Sequence, residues 1–262
     1  MAEPQIRFVD GAAYERMMGT WSRLVGHVFL DWLALPPGLH CLDIGCGNGA
    51  FTEQLIARCK PAEVHGIDPS EGQLNFARTR PGTRLAQFQQ GDAMKLPFMD
   101  GSFDSAMMAL VLFFVPEPKK GVAEMTRVVK PGGTVAAYVW DVTVGGYPWE
   151  PLAIEFKAIN HPLPAEPSAA ASRTEALQAL WMDAGLRSVE QRKIAVERSF
   201  RDFEDFWETT ITVGPVTAVI NTLTPAQRTS LKDAVRARMK PNTDGSITCG
   251  AYANAIKGRV PK

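Results

Sequence analysis

Apolar positions along this chain come in short runs, separated by stretches in which they recur every three or four residues. Residues 39–44 (LHCLDI) form a nearly continuous apolar run that reads as a strand buried on both faces, and 51–59 read as the helix after it. The run 63–67 (EVHGI) predicts a second strand, 71–78 a second helix with Ser70 as its N-cap, and 85–90 (LAQFQQ) a third, weaker strand. A fourth strand is placed at 103–110, a helix at 118–129 and a fifth strand at 134–139, with Lys130-Pro131-Gly132-Gly133 breaking the chain between the last two. Alternation of this kind implies a mostly parallel sheet covered on both faces. Right-handed crossovers then line up the C-terminal ends of the strands along one rim, where such sheets bind ligands.

Either side of this core the pattern changes. Within 1–35, Trp21, Leu24, Val25, Val28, Phe29 and Trp32 mark one face of an amphipathic helix. Past Asp141 the alternation loosens. Residues 142–172 are rich in Gly, Pro and Ala and read as a loop or lid, 174–184 as a helix, 189–196 as a strand, 203–207 and 224–239 as helices, and 246–256 as a last strand. The expected organisation is a single domain over 1–262, with 36–141 as the ligand-binding core and 1–35, 142–172 and 200–240 as a cover for its rim.

Composition narrows the partners. Lys plus Arg number 28 and Asp plus Glu also 28, so no net field is available to hold nucleic acid, and no nucleic-acid partner is expected. The longest apolar run, 106–115, falls short of the roughly 20 residues that span a bilayer. The start, MAEPQIRFVDG, carries neither the basic segment nor the apolar run of a signal peptide. A cytoplasmic chain without membrane insertion is the expectation. Cys41, Cys46, Cys59 and Cys249 form no C-x-x-C pair and no Cys/His cluster at zinc spacing, so they read as free thiols and no metal is expected. The oligomeric state leaves no mark in the pattern.

The segment LDIGCGNGAF, beginning at Leu42, concentrates the candidate chemistry. Gly45, Gly47 and Gly49 follow the first strand directly and open a helix; without Cβ atoms they let the backbone turn tightly and approach a ligand closely. Gly45, Gly47 and Ala50 also satisfy the dinucleotide form G-x-G-x-x-A, so a nicotinamide or flavin reading is weighed beside any other. Asp68 closes the second strand in GIDPS, where a carboxylate takes both hydroxyls of a ribose under either reading. Asp43 separates them. A carboxylate at the glycine turn repels a pyrophosphate and welcomes an ammonium or a sulfonium, which favours S-adenosyl-L-methionine. A turn or capping carboxylate remains the alternative for Asp43.

With these residues in place, the chain resembles the class I methyltransferases, in particular the small-molecule branch that includes ubiquinone- and menaquinone-biosynthesis-like enzymes (methyltransferase type 11). The resemblance covers about 14–139 and rests on ordered blocks: LDIGCGNG, GIDPS, GDAMKLPF (residues 91–98), FDSAMMALVLFFVPEP and EMTRVVKPGG (residues 124–133). It implies an α/β, Rossmann-like fold with helices on both faces of a mostly parallel sheet, for which an antiparallel last strand is also expected. It implies that main-chain groups around Gly45, Cys46 and Gly47 hold the methionine part of S-adenosyl-L-methionine, with Asp43 acting directly or through water. Asp68 is implied to bind the ribose, Pro69 and Ser70 to shape the adenine pocket, and Asp92 and the Ala93 N–H to meet the adenine edge. Ala109 and Leu110 are implied to lie near the sulfur. Tyr14 and Met18, in YERMMGTWSR, match the N-terminal arm that folds over the cofactor in relatives. A turn cap for Asp92, and a plain amphipathic helix for the arm, stay open as alternatives.

Two departures affect the chemistry. Where many relatives carry His after strand four, this chain has Phe113 and Phe114, so an apolar wall or core stands in place of an acid/base. Trp140-Asp141, at the end of strand five, occupies a position whose role varies between relatives. No persuasive base emerges: His27, His40 and His65 are scattered, His161 is a weak candidate in a proline-bounded segment, and Tyr147, Trp149 and Glu150 could line the substrate side. The expected function is methyl transfer to an unidentified small molecule. A non-catalytic protein binding S-adenosylmethionine or S-adenosylhomocysteine, and a nicotinamide-dependent oxidoreductase, are the other readings.

Overall fold

A computed structural model describes residues 15–212 and 214–262. A π-helical turn, Glu15–Gly19, leads into α1 (Thr20–Leu33). Then follow β1 (His40–Ile44), α2 (Ala50–Cys59), β2 (Glu63–Asp68), α3 (Glu71–Thr79), β3 (Ala86–Gln90), β4 (Phe103–Ala109), α4 (Pro118–Val128) and β5 (Val129–Trp140). The second half contains α5 (Glu150–Ala158), α6 (Thr174–Asp183), β6 (Arg187–Phe200), α7 (Phe203–Thr210), α8 (Gly214–Thr222), α9 (Pro225–Arg238) and β7 (Ile247–Arg259).

One sheet carries all seven strands in the order β3-β2-β1-β4-β5-β7-β6. Strands β1 to β5 run parallel, and β7 lies antiparallel between β5 and β6. The Rossmann-like expectation, including an antiparallel last strand, describes the observed sheet. Strand order reverses between β1 and β4, which makes the C-terminal end of β1 the topological switch point. Past Trp140, which pairs with Ala253, the ladder continues only between β6 and β7, so 195–200 and 247–252 project beyond the rim as a two-stranded ribbon.

Helix α1 docks through Trp21, Val25, Phe29 and Leu33, a spacing of one turn each, and these four are buried. Phe29 packs against Tyr138 of β5 at 4.7 Å between ring centroids and against Phe51 of α2 at 6.1 Å. Truncating a fully buried ring leaves a cavity as well as losing transfer energy. Phe29→Ala is therefore expected to lower the unfolding free energy by about 3–5 kcal/mol, read as an earlier urea midpoint at unchanged slope.

Three differences from the sequence expectation have local physical causes. Lys130-Pro131-Gly132-Gly133 does not separate helix from strand. Strand β5 begins at Val129 opposite Phe103, and the ladder resumes at Thr134 opposite Ser105, so the segment bulges out of the strand. Its backbone is held by β7's exit, with Gly132 N donating to Val260 O at 2.9 Å and Val260 N to Gly133 O at 3.1 Å. Residues 142–172 are not all loop: α5 forms there because Pro151 sits in the first turn, where a missing N–H costs nothing. Helix α8 was not expected, since GPVTAVINT has poor helix propensity; burial of Val216 and Ile220, one turn apart, fixes it.

Candidate functional site

The site grows from the end of β1. Asp43 sits in mid-strand between buried neighbours, opposite Gly66 on one side and Met107 on the other. The chain then turns through Gly45 at φ +71° and Gly47 at φ +51°. Gly45 has no room for a side chain, since a Cβ there would lie 2.4 Å from Val111 Cγ2. Its N–H and that of Cys46 both donate to Ile67 O, at 2.6 and 2.9 Å, which pins the loop to the end of β2. Gly47 is the reverse case: a Cβ there would meet nothing within 4 Å, so open space lies over this backbone.

Asp68, at the end of β2, is buried and accepts from Gly47 N at 2.9 Å and from Ser70 N at 2.8 Å, one bond to each oxygen. Burial pushes its carboxyl upward, and the Ser70 and Gly47 N–H groups oppose that. Each oxygen keeps further acceptor capacity, since a carboxylate offers about four lone-pair sites. Ser70 also caps α3, its Oγ accepting from Gln73 N at 3.4 Å, and Pro69 O accepts from Gln90 Nε2 at 2.8 Å.

Asp43 is fully buried, with Oδ2 accepting from Thr52 Oγ1 at 2.6 Å and Oδ1 without a partner among the described residues. Burial raises its carboxyl to about 7; the Thr52 hydrogen bond pulls the other way, and nearby Asp68 adds to the rise. Asp43 lines a cavity together with Ser22, Gly45, Cys46, Gly47, Asn48, Ala50, Phe51, Ala109 and Tyr138. The Ser22 hydroxyl is also buried without a partner among the described residues. None of these lining residues is a Lys, Arg or His. One buried carboxylate, Asp43, lines the cavity with glycine backbone along its side, and a second, Asp68, is close enough to raise it and accepts from the lining residue Gly47. That environment favours a cation and disfavours a pyrophosphate. Burial, with Asp43 and Asp68 adding to it, holds the Cys46 thiol well above its ordinary range, which excludes a thiolate nucleophile at neutral pH.

The remaining candidates spread around this centre. Gly91 N donates to Asp68 O at 3.2 Å, which sets the turn after β3 beside the end of β2. In that turn Asp92 is exposed, its Oδ1 accepting from Met94 N at 2.8 Å, while Ala93 is half-buried against the core. Ala109 lines the cavity, and Leu110 follows with φ +63°, held by its N–H donating to Tyr138 O at 2.8 Å. A left-handed leucine is strained, and such residues gather at functional sites. Met18 is buried on the turn before α1, and Tyr14 lies outside the described residues.

The candidate acid/base groups do not converge on the cavity. His27 contacts Arg58, while His40 and His65 both face Glu63. Asp141 is a turn carboxylate: Oδ1 accepts from the Thr143 hydroxyl at 2.8 Å and Oδ2 from Asn254 Nδ2 at 3.1 Å. Trp140 points into the core against Trp21, ring centroids 6.4 Å apart. Phe113 is buried edge-on to Phe114 at 4.4 Å. Of the lining residues, sequence reasoning missed Ser22, Asn48, Phe51 and Tyr138. Ser22 lies in a helix read only for its apolar face, and a polar residue breaking that face was the available signal.

A family profile described as a methyltransferase domain matches residues 42–137. The demethylmenaquinone methyltransferase of Renibacterium salmoninarum is 31% identical over 202 residues, covering 70% of this chain and 81% of that protein. The demethylmenaquinone methyltransferase of Desulfitobacterium hafniense is 40% identical over 106 residues, covering 38% of this chain and 42% of that protein. The chain spans less than half the length of that relative and of several other curated ones it matches. In fold it is similar to phosphoethanolamine N-methyltransferase 2 of Haemonchus contortus, solved with S-adenosyl-L-methionine, at TM-score 0.60 and 18% identity over 96% of this chain and 56% of that one.

Proposed function

Because this chain belongs to the class I S-adenosylmethionine-dependent methyltransferases of the small-molecule type, we propose that it transfers a methyl group to a small acceptor by in-line displacement. The observation that carries this reading is the cavity at the end of β1, with a buried Asp43 oxygen that has no partner and no cationic lining residue among the described residues, and with Asp68 nearby. When bound, S-adenosylmethionine supplies a methyl already activated by a positively charged sulfur. In this reading Asp43 pairs the ammonium end, and the backbone at Gly45, Cys46 and Gly47 cradles the methionine part. Asp68 takes the ribose hydroxyls, and Pro69 and Ser70 shape the adenine pocket. Asp92 and the Ala93 N–H meet the adenine edge, Ala109 and Leu110 flank the sulfur, and the arm bearing Tyr14 and Met18 closes above.

Residues 1–35, 142–172 and 200–240 then form the acceptor-side cover. Support comes from Ser168 N donating to Phe113 O at 3.0 Å, Tyr252 N to Gly146 O at 2.8 Å, and Phe206 packing on Phe200 at 5.3 Å. The protein's main contribution is to hold acceptor and methyl in line and exclude water, an effect that reaches about 7–11 kcal/mol in favourable cases. A protein that binds the cofactor without turnover is the second reading, favoured by a cavity lining with no imidazole or amine among the described residues. Among the described residues no helix is long and apolar enough to cross a membrane, and the four cysteines are free; both support the cytoplasm as the proposed compartment.

Isothermal titration with S-adenosylmethionine, S-adenosylhomocysteine and NAD tests the reading. Binding of both sulfur compounds without NAD is expected. NAD binding with no response to S-adenosylhomocysteine would overturn it.

A further inference from the structure

The carboxylate of Glu15, in the turn before α1, reaches across to the glycine loop. Its Oε2 accepts from Asn48 Nδ2 at 3.1 Å and from the Arg80 guanidinium, and its Oε1 accepts from Arg23. Arg80 is engaged on all three nitrogens. Beyond Glu15, its Nε donates to Asn48 O at 2.6 Å and its Nη1 to Glu53 Oε2 at 3.0 Å. Asn48, the residue both groups hold, lines the cavity. Two residues past Glu15, Met17 O accepts from Arg198 Nη1 at 2.9 Å, on the ribbon that projects past the rim. The turn is therefore fastened to the glycine loop at one end and to the acceptor-side ribbon at the other.

We propose that Glu15 is a positioning residue for cofactor retention: through Asn48 and Arg80 it ties the N-terminal arm to the glycine loop, and cofactor leaves only when this polar joint opens. The inference rests on the cofactor reading above. Two features set the joint apart from ordinary surface pairing. It is largely shielded, with 24% of the Glu15 side chain and 11% of the Arg80 side chain exposed. In such a place desolvation cancels much of the Coulomb gain, so the pair adds little net stability and is suited to opening. Burial pushes the Glu15 carboxyl up, but Arg80 and Arg23 hold it below its ordinary range, so it is ionised at neutral pH. The second feature is Gly19. Its backbone is helical, at φ −57° and ψ −40°, so any residue fits conformationally, yet a Cβ there would lie 2.5–2.7 Å from the Glu15 carboxyl group. Glycine at 19 leaves the seat that the carboxylate occupies.

Gly19→Ala therefore unseats the Glu15 carboxylate without changing any charge, while favouring the helical backbone. Two measurements on the full chain test the inference: the dissociation rate of S-adenosylhomocysteine from immobilised protein, and amide hydrogen exchange of residues 46–50 in its absence. Both Gly19→Ala and Glu15→Gln are expected to speed dissociation by about tenfold, the scale of one lost charge-assisted hydrogen bond. Both are expected to speed exchange in the loop, with Gly19→Ala melting no lower than wild type. A Gly19→Ala variant with wild-type dissociation and wild-type loop exchange would overturn the strap, even if Glu15→Gln merely lowered stability. No binding of S-adenosylhomocysteine by the wild type would instead be a failure of the cofactor reading, and unchanged loop exchange would still count against the strap by itself.

Discussion

Replacing Asp68 with alanine is expected to reduce affinity for S-adenosylhomocysteine by at least about a hundredfold, since two charge-assisted hydrogen bonds at ~1.5–3 kcal/mol each are lost. The same substitution strips Gly47 N and Ser70 N of their acceptor. Each buried donor left unpaired costs about 1–3 kcal/mol, so the ligand-free protein should melt several degrees lower. The two effects are separable. Ligand at about a hundred times its dissociation constant adds ~2.7 kcal/mol to wild-type stability, and at the same concentration a variant weakened about a hundredfold or more should gain no more than about 0.4 kcal/mol. Asp68→Asn, which keeps one oxygen for the loop, should recover part of the melting temperature and little of the affinity. A folded Asp68→Ala protein that binds S-adenosylhomocysteine within about threefold of wild type would remove Asp68 from the ribose role.

Asp43→Asn should push stability and binding in opposite directions. In the unfolded chain an aspartate ionises near ~3.9, while in the fold burial holds Asp43 near about 7. Between those values the native state carries a proton that the unfolded state lacks, so this residue's contribution to stability falls as pH rises through the window and is lost above it. An amide in its place has no such slope. The ligand-free variant should be more stable than wild type at pH ~8, by a ceiling of about 4 kcal/mol that the Thr52 hydrogen bond will lower. Binding runs the other way, because an ammonium prefers the ionised carboxylate. Wild-type affinity for S-adenosylhomocysteine should climb by up to about tenfold per pH unit below 7 and level off above it. The variant should be flat across that range and weaker by roughly 2–5 kcal/mol, the usual loss on removing one member of a buried charge pair. Titrations from pH ~6 to ~8 read both trends. A variant that keeps wild-type affinity and pH profile would show Asp43 to be a turn carboxylate and nothing more.

Burial of an ionisable group against its own solvation is poor economy for folding alone. At Asp43 it raises the carboxyl to about 7, with one oxygen on Thr52 and the other unpartnered among the described residues. A fold selected only for stability would place an amide or an apolar side chain there. The Leu110 backbone at φ +63° points the same way, since strain of this kind persists where the surroundings hold it in place.

The first half of the fold was legible because its signals are local. β1, β2 and β4 are apolar runs, since each is buried between neighbours on both sides, and the glycines after β1 are required by backbone angles that a single residue meets. Ser70 caps α3 by its own chemistry, three residues from the N–H it accepts. Helices α5 and α8 were missed because proline and β-branched residues argue against helix locally, and only burial of faces such as Leu152/Phe156 and Val216/Ile220 overrides them. The site divides in the same way. Residue types and order pointed to Asp43, Asp68 and the glycine loop, because a carboxylate beside a glycine turn has few uses. What no stretch of sequence contains is that Ser22 shares the cavity with Asp43, or that Glu15 meets Arg80 across 65 positions. Period, backbone angle and residue chemistry are properties of neighbours along the chain. Which polar atoms end buried without partners, and which distant charges meet, depends on how α1 and its leading turn pack onto the sheet, and that is decided only when the whole core closes.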